Sequence, residues 1–545
     1  MLGKIFDKIL HEDEDLIEKV NETEEKAEKV ASTVLKRRLD IIIAIAIFGI
    51  AVGLRLYFLY FITDPQNPGD GWAGDVFHHW QIAYLTREIG LGESFMRLWD
   101  LKGMEYFWGP LHPLLMILMF KISGTVSIVN ARVLSAIFGS LVIALLYLII
   151  NKFWNRQVAL ATVFLALVNP VGILDDTFGL LEPIGLSLLL FGLLILEKHP
   201  ISAGFLWALA AMARAEAWIF GGLLLVFSHR VLKRPSQLPK VFLGYGITIF
   251  IYMKYLLDHT GNPIYPLWWN YLANARGVWA TEIIYTYYQL SVKPYLVAWF
   301  GVSSILMLLI WLRNKGKSSV FLIFGFFYWA FIGGMMGLTH YLTGFQPWFW
   351  FIRFFQFPYY FAGFIIALLF FHLIPKAIPI FKKNHVVWIF WIPIMILAVG
   401  LQFIFWEPIM AKYNSTRPDW ERTKATAKAF ADKYEGGKVL IQAGDPNITY
   451  AMVYFQGIEG ENIVGQMFDP YFYIEGDPYE NWGENRELVL GFIKKEDIRL
   501  IMVYKQVKRY AELFTREPTI FEFVEEIPNT KLQIYRAYPD RINLE

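Results

Sequence analysis

Residues 41–62 read IIIAIAIFGIAVGLRLYFLYFI, and shortly afterwards residues 69–80 read GDGWAGDVFHHW. The first stretch is long and apolar enough to cross a bilayer, since a spanning helix needs roughly 20 such residues. The second places aspartates and histidines where the chain leaves the membrane. Together they predict a membrane protein with ionisable chemistry at one edge of the lipid.

The rest of the 545-residue chain agrees: 56% of it is hydrophobic, 17% aromatic and only 18% charged, against about 25% charged in ordinary soluble proteins. A net charge of +2 gives no support to a nucleic-acid partner, whose phosphates call for a basic face. There is no cysteine, so disulfides, thiolate nucleophiles and Cys-ligated zinc are excluded. A highly charged segment precedes the first apolar run, which is therefore read as a retained span and not a signal peptide.

Short loops carrying Lys and Arg mark one side of a membrane. Basic clusters occur at Lys36-Arg37-Arg38, Lys152 and Arg156, Glu197-Lys198-His199, His229-Arg230 with Lys233-Arg234, Arg313 to Lys317, and Lys376 with Lys382-Lys383. All fall on one side if there are about eleven spans, near 41–62, 129–150, 157–173, 183–196, 201–214, 216–228, 239–257, 294–312, 319–338, 353–374 and 386–406. LHPLLMILMFKI (111–122) must then stay within a long, partly membrane-embedded external loop, 63–128.

After residue 406 charged residues return, and KVLIQAG (438–444), IRLIMVYK (498–505) and LQIYRAY (532–538) read as strands between helical runs. The expected fold class is a polytopic α-helical membrane protein with a C-terminal soluble α/β domain. Residues 1–38 form a cytosolic charged amphipathic helix, 39–406 the transmembrane domain and 407–545 an extracytoplasmic domain. The plasma membrane is the expected location, with the N-terminus cytoplasmic. Leu16, Val20, Thr23, Ala27, Val30 and Val34 form a short heptad-like seam, which suits either a homodimer contact or a solvated helix. No internal repeat is visible across the spans, which weakens a transporter reading.

If the chain is helical from about Gly74, then Asp75, His78 and His79 share one face. A carboxylate beside imidazoles can accept a proton or hold a divalent cation; the same residues equally suit an N-cap aspartate followed by interfacial histidines. The next external turn, NPVGILDDTFGLLEPIG, puts Asp175, Asp176 and Glu182 at the outer surface, with Glu182 at a positive helix terminus. Ionisable groups at membrane depth are functional candidates. In MARAEAW, Arg214 and Glu216 either meet a phosphate or pair with each other. Arg353, in WFWFIRFFQF, either binds phosphate or snorkels at the interface. Trp268 and Trp269 belong to an aromatic-rich outer face, where rings line a sugar or lipid pocket or form an interfacial belt.

The order of segments resembles the GT-C superfamily of membrane glycosyltransferases, in particular its protein O-mannosyltransferase and aminoarabinose transferase branch. Carrying the resemblance, over roughly 40–235, are a first span, an external loop with an acid at Asp75, GPLHPLL (109–115), NARVLSAIFGSLVIALLYL (130–148), NKFWNRQ and LLEPIG. It implies a polyprenyl- or dolichyl-phosphate sugar donor and an extracytoplasmic site, with Asp75 as general base and Glu182 as the acid of the second external loop. His112 of GPLHPLL joins the substrate-binding candidates. Val76 departs from the family's common Asp-Glu pair. Trp268-Trp269-Asn270-Tyr271 comes close to the oligosaccharyltransferase WWDYG signature but has Asn for Asp and no following glycine.

The reading that follows is an inverting transfer of a hexose, mannose-like, to a hydroxyl on a glycan, lipid or protein acceptor. Arg353, Arg214 or His78 offsets charge on the departing lipid phosphate. The alternatives are an oligosaccharyltransferase-like enzyme in which Asp75, Asp175, Asp176 and Glu182 hold Mg or Mn, and a polysaccharide or lipid transporter. DPYFYIEGDPYENW (469–482) is a candidate acceptor contact, and Asn414-Ser415-Thr416 and Asn447-Ile448-Thr449 fit the glycosylation pattern.

Overall fold

The computed structural model describes residues 35, 38–68, 74–89, 105–269, 316–343, 356–378, 384–415, 417–441, 446–464, 470–474 and 476–544. The whole N-terminal seam, the span expected at 294–312, and Arg353 lie outside the described residues.

The first span is α1 (Arg38–Ile62), whose last turn, Phe58–Ile62, is a π-helix. The loop expected at 63–128 carries α2 (Gly74–Ile89), the one-turn α3 (Glu105–Trp108) and α4 (Leu111–Ser123). There follow α5 (Val129–Phe153), α6 (Arg156–Leu167), α7 (Pro170–Thr177), α8 (Glu182–Ile195), α9 (Pro200–Ala211), α10 (Glu216–Phe227) and α11 (Leu238–Thr260). Beyond them lie α12 (Ser319–Thr343), α13 (Gln356–Leu368), which continues to Ala377, and α14 (Asn384–Ser415).

Among the described residues four helices are long and apolar enough to cross a bilayer, α1, α5, α11 and α13, and α6 with α7 makes a fifth if that bent pair is one span. This is an integral membrane protein. The full count of about eleven is not reached by length, because α8, α9 and α10 have only 14, 12 and 12 residues. At 1.5 Å per residue they reach about 20 Å, less than a hydrocarbon core. Helix α4 also falls short with 13 residues, in keeping with a non-spanning role. Its exposed Leu114, Leu118 and Ile122 are four apart and form one apolar stripe.

Ion pairs identify two faces of the bundle. On one, Asp40 pairs with Arg156 at 2.6 Å, and Glu197 meets Lys152, Lys233 and Lys317 at 3.6, 3.9 and 2.7 Å. The loops marked by basic clusters in the sequence therefore meet in space. The other face gathers residues 63–67, α2, the turns at 109–112, 177–182 and 212–216, and the C-terminal region.

Helices α9 and α11 cross with backbone against backbone. Gly204 of α9 faces the Val241 carbonyl and Gly244 of α11 faces that of Ile201, with no room for a Cβ at either. In lipid, where apolar burial gives helices little reason to associate, such small-residue contacts supply the packing.

The C-terminal region opens with α15 (Arg417–Ala431). It continues through β1 (Lys438–Ile441), α16 (Pro446–Gln456), β2 (Ile463–Val464), α17 (Trp482–Lys495) and β3 (Ile498–Tyr504) to α18 (Lys508–Arg516), β4 (Phe521–Glu526) and β5 (Leu532–Ala537). The sheet order is β2-β1-β3-β5-β4, with β2, β1 and β3 parallel and β5 antiparallel to both its neighbours. Period-two alternation divides two cores. Val439, Ile441 and Met502 join α15, α16 and α2, while Leu440, Ile501 and Val503 join α17 and α18. Tyr471 and Tyr479 of the loop proposed as an acceptor contact pack in the second core, on the sheet face away from α2. Asn447 is buried and donates to the Thr423 hydroxyl at 3.1 Å, so it is no open glycosylation acceptor.

Gly244→Ala should lower the thermal unfolding midpoint of the solubilised chain. Gly246→Ala, two residues away with open space around it, should leave it unchanged or raise it by up to the ~1 kcal/mol helix preference for Ala. Equal effects would disprove the close crossing.

Candidate active site

Asp75 stands in the first turn of α2 and is partly exposed, as the sequence spacing requires, with His78 and His79 one turn on. The two imidazoles share one partner. The His79 ring meets Trp108 edge-on at 4.6 Å and His112 at 5.0 Å, and His78 stacks on Trp108 at 5.8 Å. His78 and His79 thus both pack on the Trp108 indole, and His112, distant in sequence, joins them through His79. His112 is buried, and neither ring nitrogen has a hydrogen-bond partner among the described residues. Burial pushes its pKa down to about 3, so the ring is neutral at physiological pH.

The aspartates of the second turn lie inside the protein. After α6 the chain bends by 65°. Pro170 has no N–H to continue the helix, and Asn169 accepts from the Gly172 N–H to cap a new one. Asp175 and Asp176 ride on this short α7, both buried.

Asp176 faces α1 and α13. Its carboxylate accepts from Arg55 Nε at 2.7 Å and from Gln356 Nε2 at 2.5 Å, and Arg55 also donates to the Tyr360 hydroxyl at 3.4 Å. Gly139 and Gly172 make the space, since a Cβ at either would overlap the Asp176 carboxylate or the Tyr360 hydroxyl.

The remaining acids meet Arg214. Its Nε donates to Glu216 at 2.8 Å and its Nη2 lies 3.3 Å from Glu182, all three side chains being buried. The Arg214–Glu216 pairing anticipated from sequence is present, and Glu182 extends it. Tyr328 lies within electrostatic reach of Glu216, Arg214, Glu182 and Asp175. Gly185 of LLEPIG lets the Arg214 stem cross α8 in close contact.

Three contacts join these groups. Val76, next to Asp75, packs on Gly179, whose φ of +83° and lack of a Cβ fit the close approach. The Leu111 N–H donates to the Met212 carbonyl at 3.2 Å, pinning the His112 turn beside the Arg214 turn. Arg132 donates to the carbonyls of Thr177, Asp64, Pro65 and Asn67 at 2.6, 2.6, 2.9 and 3.2 Å, binding the start of the long loop to the end of α7.

The tryptophans divide. Trp269 stacks on Tyr265 at 6.2 Å, and Tyr265 meets Tyr106 of α3 at 6.4 Å, two residues from Trp108. Trp268 is exposed. The four acids do not assemble into the metal site considered from sequence: Asp176 is directed at Arg55 and Glu182 at Arg214. Among the described residues no three His, Asp or Glu side chains converge as metal ligands.

Sequence reasoning missed Arg55, Arg132, Gln356 and Tyr328. Arg55 was findable, being a charge within an apolar span; Gln356 and Tyr328 carry no comparable signal.

No family model and no curated protein matches the sequence. Among solved structures, ArnT from Cupriavidus metallidurans, bound to undecaprenyl phosphate, aligns at a TM-score of 0.52 with 11% identity, covering 91% of this chain and 97% of that one. This chain has the GT-C fold. The oligosaccharyltransferase AglB from Archaeoglobus fulgidus, in complex with an inhibitory peptide and a dolichol-phosphate, aligns at 0.47 with 12% identity, covering 92% of this chain and 75% of that one. At these identities the likeness is one of fold, and the GT-C resemblance in the sequence agrees with it.

Removing one member of a buried ion pair leaves an uncompensated charge and costs about 3–5 kcal/mol, whereas replacing both by apolar groups is close to neutral. Arg55→Met should therefore lower the unfolding midpoint sharply, and Arg55→Met with Asp176→Leu should recover most of the loss. Additive effects of the two changes would refute the pairing.

For His112, the unfolded chain binds its proton near the ordinary 6.5 and the folded chain only near 3. Its contribution to stability is then complete above about pH 6.5 and falls as pH drops toward 3. Unfolding midpoints of His112→Gln should depend less on pH across that window than those of the wild type.

Proposed function

We propose that this chain is a membrane glycosyltransferase that moves a sugar from a polyprenyl or dolichyl phosphate to a hydroxyl acceptor. The observation that carries this reading is the packing of Val76 on Gly179. It brings the turn holding Asp75 against the turn holding Glu182, on the bundle face where the C-terminal region docks. The same fold in ArnT is solved with undecaprenyl phosphate bound, which supports a lipid-phosphate donor here.

Asp75 takes the proton of the acceptor hydroxyl as that oxygen attacks the anomeric carbon, and the bond to the lipid phosphate breaks on the opposite side, inverting the centre. As a partly exposed carboxylate at a helix N-terminus, Asp75 can meet a water-borne acceptor. Glu182 and Glu216 hold the Arg214 guanidinium in a fixed direction. Trp108 with His78 and His79 offers a flat, partly polar wall suited to a sugar ring. The described acids do not fit a metal site, so no step is assigned to one. The donor sugar is expected to be a hexose of the mannose type, and the catalytic face extracytoplasmic.

The test is transfer by the purified chain from polyprenyl-phosphate mannose and polyprenyl-phosphate glucose to a hydroxyl acceptor. Asp75→Asn should lose about 10²–10⁴-fold in rate, the usual contribution of a general base. Glu182→Gln should lose activity with a smaller change in donor KM. Unchanged transfer by Asp75→Asn would remove that residue from the chemistry, and chelator-sensitive transfer would favour a metal-assisted route through residues outside those described.

A further inference from the structure

A second candidate site lies away from the buried acids, at the edge of the C-terminal sheet. After β1 the chain forms α16 on one face of the sheet, and before β3 it forms α17 on the other. Winding therefore reverses between β1 and β3, which are hydrogen-bonded neighbours. In open α/β sheets the crevice outside the carboxyl ends of two such strands is where ligands bind.

A cleft of about 610 Å³ opens at the carboxyl end of β3. Tyr504, the last residue of β3, and Asn447, in the first turn of α16, line it, with Asp419, Arg422 and Thr426 of α15 and Lys531 of the β4–β5 turn closing the sides. The lining is rich in donors: hydroxyls, two carboxamides, a guanidinium and an ammonium. The one carboxylate among them, Asp419, already pairs with Arg422, and Lys531 has no carboxylate partner among the described residues. Among the described residues the cleft thus has one uncompensated positive charge beside several neutral hydrogen-bonding groups. This combination suits a hydroxyl-bearing anion.

We propose that this cleft binds an acidic sugar, its carboxylate or phosphate at Lys531 and its ring hydroxyls at Thr426 and Tyr504. The helices that form the cleft also carry Trp420 and Tyr450, whose rings lie 5.7 and 5.4 Å from Phe77 of α2, two residues beyond Asp75. A sugar held here is one helix layer from the general base. On the glycosyltransferase reading, on which this role rests, it is a distal unit of an acidic glycan acceptor.

Isothermal titration of the full chain in nanodiscs tests the site, using glucuronic acid, glucose 6-phosphate, glucose and inorganic phosphate as probes. Both acidic sugars should bind at millimolar concentrations, and glucose at least about tenfold more weakly. Lys531→Ala should weaken the acidic sugars by about tenfold or more, the effect of losing one charge-assisted hydrogen bond, and leave glucose unaffected. Thr426→Val should weaken the acidic sugars but not inorganic phosphate.

The proposal fails if neither acidic sugar binds, if inorganic phosphate binds as well as glucose 6-phosphate, or if binding ignores both substitutions. Asp75→Asn should retain full sugar binding. Intact binding without any transferase activity in the wild type would overturn the catalytic reading alone, whereas transfer without binding would overturn the cleft alone.

Discussion

A guanidinium inside a membrane bundle must find anionic or carbonyl partners, because leaving it bare in a low-dielectric interior costs several kcal/mol. Arg55, Arg132 and Arg214 meet that constraint in three ways: a single carboxylate, a set of carbonyls, and a carboxylate on either side. Each joins segments distant in sequence. Arg55 holds α7 to the first span, Arg132 closes the long loop onto the end of α7, and Arg214 fastens the start of α8 to the start of α10. The site is what these three attachments enclose.

The direction of α7 follows from them. Asp175 and Asp176 are adjacent in sequence and both buried; Asp176 turns to Arg55, and Asp175 lies within electrostatic reach of Tyr328 and Tyr360. A straight helix continuing α6 would carry both past the bundle. The bend at Asn169–Pro170 turns them across it, and Gly139 gives room for the carboxylate that results. Backbone geometry, small residues and buried charge thus agree on one arrangement, as expected of a sequence with little internal conflict.

The C-terminal sheet is built into the same face. The Tyr413 hydroxyl accepts from the Asp64 N–H at 2.8 Å and donates to the Asn67 carbonyl at 3.1 Å. The Tyr450 hydroxyl bridges Gln66 and the Ile128 N–H. With Trp420 and Tyr450 against Phe77 and Trp80, the sheet shares a hydrophobic core with α2.

Much of this was written in the chain. Apolar runs announced the spans, Lys and Arg clusters announced a common face, alternation announced the strands, and helix start signals placed Asp75 and Glu182 in first turns. These are local properties, set by side-chain hydrophobicity, backbone preference and spacing, and a sequence states them directly. Only the tertiary structure decided that His78 and His79 share Trp108 and that His112 meets His79, that Glu182 and Glu216 flank Arg214, and that Asp176 turns to Arg55 and Gln356 and not to a metal. Partner choice depends on which faces meet after packing, and a bend of 65° at one Asn-Pro step is enough to redirect two carboxylates.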